Sequence, residues 1–210
     1  MIRARLASIL LGVIAMRLPA AQTGTPLAAW TPGILDIHHV STGRGNATLF
    51  ILPDRTTLLV DAGAAADGGA EISPHPDGSR TPGAWIARYI RRHLPAGVTG
   101  LDYALITHFH GDHMGQVTPA SSLDRTRTFR LTGITEVAEA MTIRTLLDRG
   151  WPDYSYPAPL TDETVANYRR FIEARREGGI TVERFRPGSS TQIRLRHEAG
   201  KYPIFTIRNI

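Results

Sequence analysis

The segment between residues 107 and 115 constrains the fold more than any other part of the chain. It reads Thr-His-Phe-His-Gly-Asp-His-Met-Gly and directly follows the apolar run 101–107, which predicts a buried strand. Side chains two residues apart on an extended backbone point to the same side, so His108, His110 and Asp112 can converge. Gly111 permits a sharp turn, which brings His113 round to the same place.

The residue types of this segment are those of a metal site. Imidazole nitrogens and carboxylate oxygens suit zinc, and the chain contains no cysteine, which excludes thiolate ligands. A histidine-rich surface turn is the simpler interpretation, but the preceding strand and the following glycine favour a metal site. The predicted metal ligands are therefore His108, His110, Asp112 and His113.

These four residues resemble the His-x-His-x-Asp-His signature of the metallo-β-lactamase superfamily of metal-dependent hydrolases. The resemblance implies that His108 and His110 hold one metal ion, and that Asp112 and His113 belong to a second metal position. It implies two zinc ions in a complete domain, with iron or manganese as alternatives. Diiron relatives carry glutamate at the position of His110, which favours zinc here, although a mononuclear iron dioxygenase remains open.

A second motif agrees with the first. The segment Thr57–Gly63 resembles the family's earlier strand, which ends in Asp-x-Gly, and the resemblance places Asp61 near the site as a supporting residue. A carboxylate at that position can orient a ligand histidine. Taken alone, Asp61 is also an ordinary residue for a turn at a strand end.

A more specific resemblance runs from about Gly33 to the end of the chain. It is to the metallo-hydrolase domains related to the soluble part of bacterial DNA-uptake proteins of the ComEC (competence) type. The residues that carry it are the opening strand 34–40, the loop 43–46 and the Pro53-Asp54 turn. Asn46 departs from the pattern, because many relatives have aspartate there, so no role that needs a negative charge is carried over to this loop.

The superfamily resemblance implies an α/β (α+β) fold, a four-layer αββα sandwich of two similar halves, whose later half supplies further ligands. After His113 the only histidine is His197, and no later Gly-Asp pair offers a bridging aspartate. We therefore expect residues 33–210 to form the N-terminal half of the sandwich plus a helical insertion, in a domain that is apparently truncated. We expect His197 to be an exposed hairpin residue and not a ligand.

Hydrophobic periodicity and turn residues predict the remaining elements. A helix begins after Thr81, with Pro82 in its first turn. Residues 150–157, rich in aromatic residues and proline, form either a lid over the metals or a packed connector. The other predicted elements are an antiparallel meander of strands near 34–40, 47–52 and 57–61, helices over Ile134–Arg149 and Asp162–Glu177, and strands near 180–185, 191–197 and 202–209.

Composition bounds the partners of this protein. A chain of 210 residues with 42% hydrophobic content is sufficient for one globular domain. The net charge of +5 comes almost entirely from arginine, since Lys201 is the only lysine. The basic clusters could attract phosphate-bearing substrates, but no aromatic residues alternate with them, so we favour solvated helix faces. The sequence gives no firm evidence for a nucleic-acid partner.

The N-terminus has the pattern of an export signal. Residues 1–5 are basic, 6–16 form an apolar run and small residues follow, so we predict a signal peptide or N-terminal anchor over 1–22 and a linker over 23–32. The expected location is periplasmic or secreted. Membrane contact is expected only through this segment, if it stays uncleaved. His75, in a glycine-rich loop, is more typical of an exposed residue than of a substrate contact.

The function implied is hydrolysis by a metal-bound hydroxide. Zinc lowers the pKa of a bound water from about 15.7 to about 7, which provides a nucleophile at neutral pH. Asp112 is the expected catalytic residue, because it would both bind a metal and orient the attacking water. The substrate is a small molecule or a phosphodiester, with lactams, thioesters and lactones equally compatible. The alternative is a truncated or degenerate, non-catalytic chain with an incomplete metal site.

Overall fold

The computed structural model describes residues 24–65 and 76–210, which form a mixed α/β fold with one six-stranded sheet and four helices. The predicted signal peptide or anchor and His75 lie outside the described residues. The strands are β1 (Asp36–His39), β2 (Thr48–Ile51), β3 (Thr57–Val60), β4 (Leu101–Ile106), β5 (Ile143–Asp148) and β6 (Thr181–Arg184). The helices are α1 (Pro82–His93), α2 (Gly111–Met114), α3 (Gly133–Ala140) and α4 (Glu163–Glu177), and a 3-10 turn spans Ala199–Lys201.

The strands lie in the sheet in the same order as in the chain. Strands β1, β2 and β3 pair antiparallel, which confirms the predicted meander. Strands β3 to β6 pair parallel, and helices α1, α3 and α4 lie in the three crossover connections. As a result, the carboxyl ends of four strands meet at one edge of the sheet.

The two long helices begin at the capping residues that the sequence predicts. The side chain of Thr81 accepts a hydrogen bond from the amide of Ala84, and Pro82 is the first helical residue of α1. The side chain of Asp162 accepts from the amide of Val165 in the same way at the start of α4. Helix α4 ends at Glu177, the predicted end, and Gly178 caps it.

The prediction of a single helix over Ile134–Arg149 is wrong. Helix α3 ends at Ala140, the backbone becomes extended at Met141, and β5 begins at Ile143. Strand β5 pairs with β4 on one side and β6 on the other, and five of its six residues are buried. A central position in the sheet overrides the helix prediction for these residues. Helix α4 lies in the connection between β5 and β6 and packs in the same core as α1 and α3.

The predictions of strands over 191–197 and 202–209 are wrong as well, whereas that of β6 is confirmed. These segments lie across the face of the sheet opposite the helices, where Ile193 and Ile207 pack on Leu58, Tyr103 and Leu147. Several amides of 191–197 donate to side chains, and the Asn209 amide donates to the Ser189 carbonyl, so neither segment pairs with a strand of the sheet. The Arg196 amide, for example, donates to Thr56 Oγ1 at 2.7 Å.

The two faces of the sheet carry different layers. The main core lies on the helical face, with Leu59, Ala104 and Leu146 of the sheet packed in the same cluster as Ile90 and Phe171 of the helices. The other face is covered by the C-terminal segment. One helical layer on one sheet is half of an αββα sandwich, so the described residues have the predicted fold class. Within them, none of the helices has the length and apolar character required to cross a bilayer.

Candidate metal site

The candidate site lies at the edge of the sheet where the parallel strands end. The register pairs Val60 of β3 with Leu105 of β4, and Ile106 of β4 with Asp148 of β5. The residues that follow these strands therefore emerge side by side. In sheets of this kind, ligands bind in the crevice at the carboxyl ends of the strands.

His108 and His110 form the most exposed part of the site. His108 Nε2 lies 2.9 Å from His110 Nδ1, and the two rings are nearly perpendicular, with centroids 4.2 Å apart. Two nitrogens that share one tetrahedral zinc ion, each about 2.1 Å from it, lie about 3.4 Å apart. The pair would therefore open by roughly half an ångström to accept a metal ion.

The short helix α2 turns the chain back toward this pair. The His113 amide donates to the His110 carbonyl at 3.0 Å, and the His113 ring centroid lies 5.2 Å from that of His108. His113 Nε2 lies 3.7 Å from Asp112 Oδ2. At Gly111 a side chain would collide with Gln116, which shows why this turn requires glycine. All four predicted ligands thus stand at one edge of the sheet.

Asp61 is buried at this edge and hydrogen-bonds two residues of the metal motif. Its Oδ1 accepts from the Thr107 amide at 2.8 Å, and its Oδ2 accepts from the Thr107 hydroxyl at 2.7 Å and lies 2.8 Å from His113 Nδ1. The backbone of Asp61 has a φ of +59°, a left-handed conformation that aspartate tolerates better than most residues. Because the carboxylate faces Nδ1, the His113 atom left for a metal is Nε2.

Sequence reasoning treated Thr107 only as the end of a strand. Its hydroxyl and amide both bind Asp61, so it links the second motif to the first. The signal available in the sequence was a hydroxyl residue placed between the last strand residue and the first histidine.

Close backbone packing holds α2 in place. The Asn46 amide donates to the Asp112 carbonyl at 2.8 Å, and the Ala62 amide donates to the His113 carbonyl at 2.8 Å. A methyl group at Gly63 would overlap the backbone of Asp112, and one at Gly45 would overlap Gly63. The loop 43–46 and the Asp-x-Gly turn therefore act together to position the second half of the motif.

The electrostatics of the site favour a neutral imidazole at His108. Partial desolvation by the surrounding groups lowers the pKa of His108, and the nearby His110, His113 and Arg149 lower it further, while Asp112 opposes them. A lowered pKa keeps the ring unprotonated at neutral pH. Metal binding requires that form of the imidazole.

A buried network supports the ring of Phe109, the residue between His108 and His110 in the sequence. Phe109 is buried and packs against Tyr154 and Tyr168, with ring centroids 5.6 and 5.8 Å away. Both tyrosine hydroxyls donate to Oδ2 of the buried Asp148, at 2.8 and 3.0 Å. Burial, together with the negative charge of Asp148, raises the pKa of both tyrosines.

This network bears on the two interpretations of residues 150–157. Asp148 Oδ1 accepts from the amides of Gly150 and Trp151, and Tyr154 is buried, so the first half of the segment is a packed connector. Tyr156, by contrast, is 74% exposed. Sequence reasoning missed Asp148 because it placed this residue inside a helix.

The residue types fit zinc, but the described part of the chain does not present a closed ligand set. Among residues 24–65 and 76–210, no three histidine, aspartate or glutamate side chains are arranged to hold a single metal ion. The arrangement consists of two pairs, His108 with His110 and Asp112 with His113.

His197 does not join these pairs. Its Nε2 lies 3.0 Å from Oδ2 of Asp102, which is at the start of β4, whereas the motif follows the end of that strand. His197 also lines a cleft of about 500 Å³ at that opposite edge, together with Arg144 and Arg175. The expected hairpin is wrong, because the residues around His197 are not strands.

Comparison with known families supports the interpretation of this edge. Residues 40–130 match the metallo-β-lactamase superfamily. The matched segment is less than half of the chain, but it contains Asp61 and the whole of the 107–115 motif. Members of the metallo-β-lactamase superfamily are commonly metal-dependent hydrolases.

The chain was also compared with individual proteins. No curated protein matches the chain. Among solved structures, the chain is similar to CmlA, a diiron β-hydroxylase from Streptomyces venezuelae, with 13% sequence identity and a TM-score of 0.34. The similarity covers 72% of this chain and 30% of that enzyme.

Proposed function

We propose that this protein is a zinc-dependent hydrolase whose active site is the edge formed by His108, His110, Asp112 and His113. The observation that carries the proposal is the convergence of these side chains beside the buried Asp61, within the segment that matches the metallo-β-lactamase superfamily. In this proposal His108 and His110 hold one zinc ion, and Asp112 and His113 hold the other.

The protein residues have distinct roles in this proposal. Asp61 fixes the ring of His113 so that Nε2 faces outward, and Thr107 holds Asp61 in place. Asp112 is half-buried, with its Oδ2 near His113, where it would orient an attacking water. Zinc, when bound, lowers the pKa of a coordinated water to about 7 and neutralises developing negative charge.

We further propose a relation to the ComEC-type metallo-hydrolase domains and a phosphodiester as the first substrate to test. The loop 43–46, one of the features of that resemblance, contacts the metal motif directly through the hydrogen bond from Asn46 to Asp112. We propose a location outside the cytoplasm from the basic and apolar pattern of residues 1–22.

The test is the zinc content of the purified protein. Elemental analysis should find about two zinc ions per chain in the wild type and a clear loss in His108→Ala and His110→Ala. Both histidines are exposed, so the variants should keep the unfolding free energy within about 1 kcal/mol of the wild type. His197→Ala, at the other edge, is the matched control and should keep its zinc. Full zinc occupancy in both motif variants would refute the assignment.

A non-catalytic chain with an incomplete metal site is the second candidate. The observation that favours it is the absence of a three-ligand set among the described residues, because two ligands seldom hold zinc against water. Little or no zinc in the wild-type protein, together with no hydrolysis of phosphodiesters or esters, would support this candidate.

A further inference from the structure

One arginine stands at the edge of the candidate site. Arg149 directly follows β5, and the pairing of Ile106 with Asp148 places it alongside the first residues of the metal motif. Its guanidinium carbon lies 5.0 Å from the centroid of the Phe109 ring, and Phe109 separates the two exposed histidines in the chain. The positive charge is therefore held next to the place where a substrate would meet His108 and His110.

The position of Arg149 is fixed from both sides. Nη1 donates to the Tyr156 carbonyl at 3.0 Å, and the Arg149 carbonyl accepts from Arg184 Nε at 3.2 Å. The Phe109 ring below the guanidinium is itself fixed against Tyr154 and Tyr168. A guanidinium has five donors in one plane, so one hydrogen bond and a stacked face leave the remaining donors in the plane for a ligand.

The charge of Arg149 has no protein counter-ion in the part of the chain that the structure describes. The adjacent Asp148 accepts from two backbone amides and two tyrosine hydroxyls, and among residues 24–65 and 76–210 no carboxylate lies within ion-pair distance of Arg149. Some other arginines are ion-paired: Arg170 pairs with Glu163, and Arg175 pairs with Glu139. A preorganised and unpaired guanidinium beside a reaction site is suited to receive an anion.

We infer that Arg149 is a substrate-binding residue of this site, and that the site takes substrates with an anionic oxygen group, a carboxylate or a phosphate. This inference rests on the proposed hydrolase function and specifies its substrate class. The in-plane donors of Arg149 match the two oxygens of such a group with paired hydrogen bonds, whereas a neutral substrate offers it no charge partner.

The test compares Arg149→Gln with a control that loses the same charge from the same surface. Arg176 stacks on Trp151 with its guanidinium carbon 4.7 Å from the ring, so Arg176→Gln removes a similar stacked arginine that is not over Phe109. The zinc-loaded proteins are assayed with two matched substrate pairs. One pair is bis(p-nitrophenyl) phosphate and its neutral methyl triester, and the other is a p-nitrophenyl ester with a terminal carboxylate and its methyl ester.

The expected result is selective. Arg149→Gln should lower kcat/KM for the anionic member of a pair by roughly 10- to 100-fold, mainly through KM, because it removes a charged hydrogen-bond partner. The neutral members and the Arg176→Gln control should change by less than about twofold, and Arg149→Lys should recover only part of the loss. A selective loss in one pair alone identifies the group as phosphate or carboxylate. Equal losses for anionic and neutral substrates, no loss, or the same loss in Arg176→Gln would overturn the inference.

A second measurement separates this inference from the proposed function. Inorganic phosphate is titrated into the metal-free protein and followed by phosphorus NMR, which requires neither zinc nor turnover. If the wild type binds no zinc and hydrolyses nothing, the hydrolase proposal fails, and the titration then decides the role of Arg149. Phosphate binding that is about tenfold weaker in Arg149→Gln, but unchanged in Arg176→Gln, supports an anion site. Equal binding by all three proteins, or none by the wild type, contradicts it.

Discussion

An aspartate and a histidine stand together at each edge of the sheet, and the two pairs differ in their surroundings. At the carboxyl edge, Asp61 Oδ2 lies 2.8 Å from His113 Nδ1, and further metal-ligand side chains stand nearby. At the amino edge, Asp102 Oδ2 lies 3.0 Å from His197 Nε2 and accepts from the amide and hydroxyl of Thr57. Its Oδ1 lies 3.8 Å from Arg144 Nε. The same chemical pair therefore has two different roles.

The difference lies in the nitrogen that each aspartate engages. Asp61 takes Nδ1 of His113 and leaves Nε2 directed toward Asp112. Asp102 engages Nε2 of His197, so that nitrogen is not available to a metal ion. An aspartate–histidine pair thus contributes to a metal site only when the free nitrogen faces other donors.

The largest effect is expected from a change that displaces the carboxyl-edge pair as a whole. In Gly63→Ala the new methyl group would overlap the Asp112 backbone, so α2 must shift. We expect a loss of about 3 kcal/mol in the free energy of unfolding, measured by urea denaturation, together with loss of zinc binding. Gly200→Ala is the control, because a methyl group there meets nothing within 4 Å. Equal stability in both variants would show that α2 does not depend on this contact.

The next largest effect is expected at the amino edge and in stability alone. Asp102→Ala leaves the buried Thr57 amide and the His197 ring without their acceptor. We expect the free energy of unfolding to fall by about 2–3 kcal/mol, because a buried donor without a partner costs its full desolvation. The folded Asp102→Ala protein should contain as much zinc as the wild type. A parallel loss of zinc would break the distinction between the two edges.

A smaller change at Asp61 tests the orientation of His113. In Asp61→Asn the side-chain amide can donate to His113 Nδ1, which places the ring proton on Nε2 and blocks that atom for zinc. Zinc affinity, measured by competition with a chelating dye, should fall by roughly 10- to 100-fold. Asp102→Asn is the matched substitution at the other edge and should change zinc affinity by less than about twofold. Similar losses in the two variants would contradict separate roles.

The smallest effect is expected from a third histidine cluster, which has no carboxylate at hydrogen-bonding distance. His38 Nδ1 lies 3.0 Å from the Tyr89 hydroxyl, its ring packs on His93, and Asp36 lies 3.9 Å away. Burial lowers the pKa of His38 against the pull of Asp36, and burial lowers that of His93, with help from His38 and Arg92.

The sign of the pH dependence follows from these lowered pKa values. In the unfolded chain these histidines bind protons near pH 6.5, whereas in the folded protein they bind them only at a lower pH. The free energy of unfolding therefore decreases as the pH falls from neutral through 6.5. Urea denaturation at several pH values should show that the free energy of unfolding depends less steeply on pH in His38→Gln than in His39→Gln. His39 is the neighbour of His38 and lies on the opposite face of β1. The same pH dependence in both variants would show that the cluster of His38 and His93 does not cause it.

Elements with strong local signals were predicted correctly from the sequence. The meander, α1 with its Thr81 cap, β4, α4 and β6 all occur where the pattern places them. Local signals misled only where a tertiary contact decided the outcome. The segment Ile134–Arg149 contains a strand because β4 and β6 pair with it, and the C-terminal segment is irregular because it crosses a sheet face.

The candidate site was predictable in its residue types and not in its supporting network. The motif named the four predicted ligands, and the second motif named Asp61. The roles of Thr107, Asp148 and Arg149 depend on strands that are distant in sequence and adjacent in the sheet. Residue spacing within one segment cannot show which residues of different strands become neighbours, since the register between strands is set by packing of the whole core.

The sequence by itself determined the chemistry of this protein: a cluster of imidazole and carboxylate groups after a buried strand, with glycines where the backbone must turn. Only the tertiary structure decided which of two aspartate–histidine pairs stands with that cluster, and which arginine lies beside it. The physical reason is that residue type sets what a group can bind, whereas pairing of parallel strands sets which groups meet at one edge.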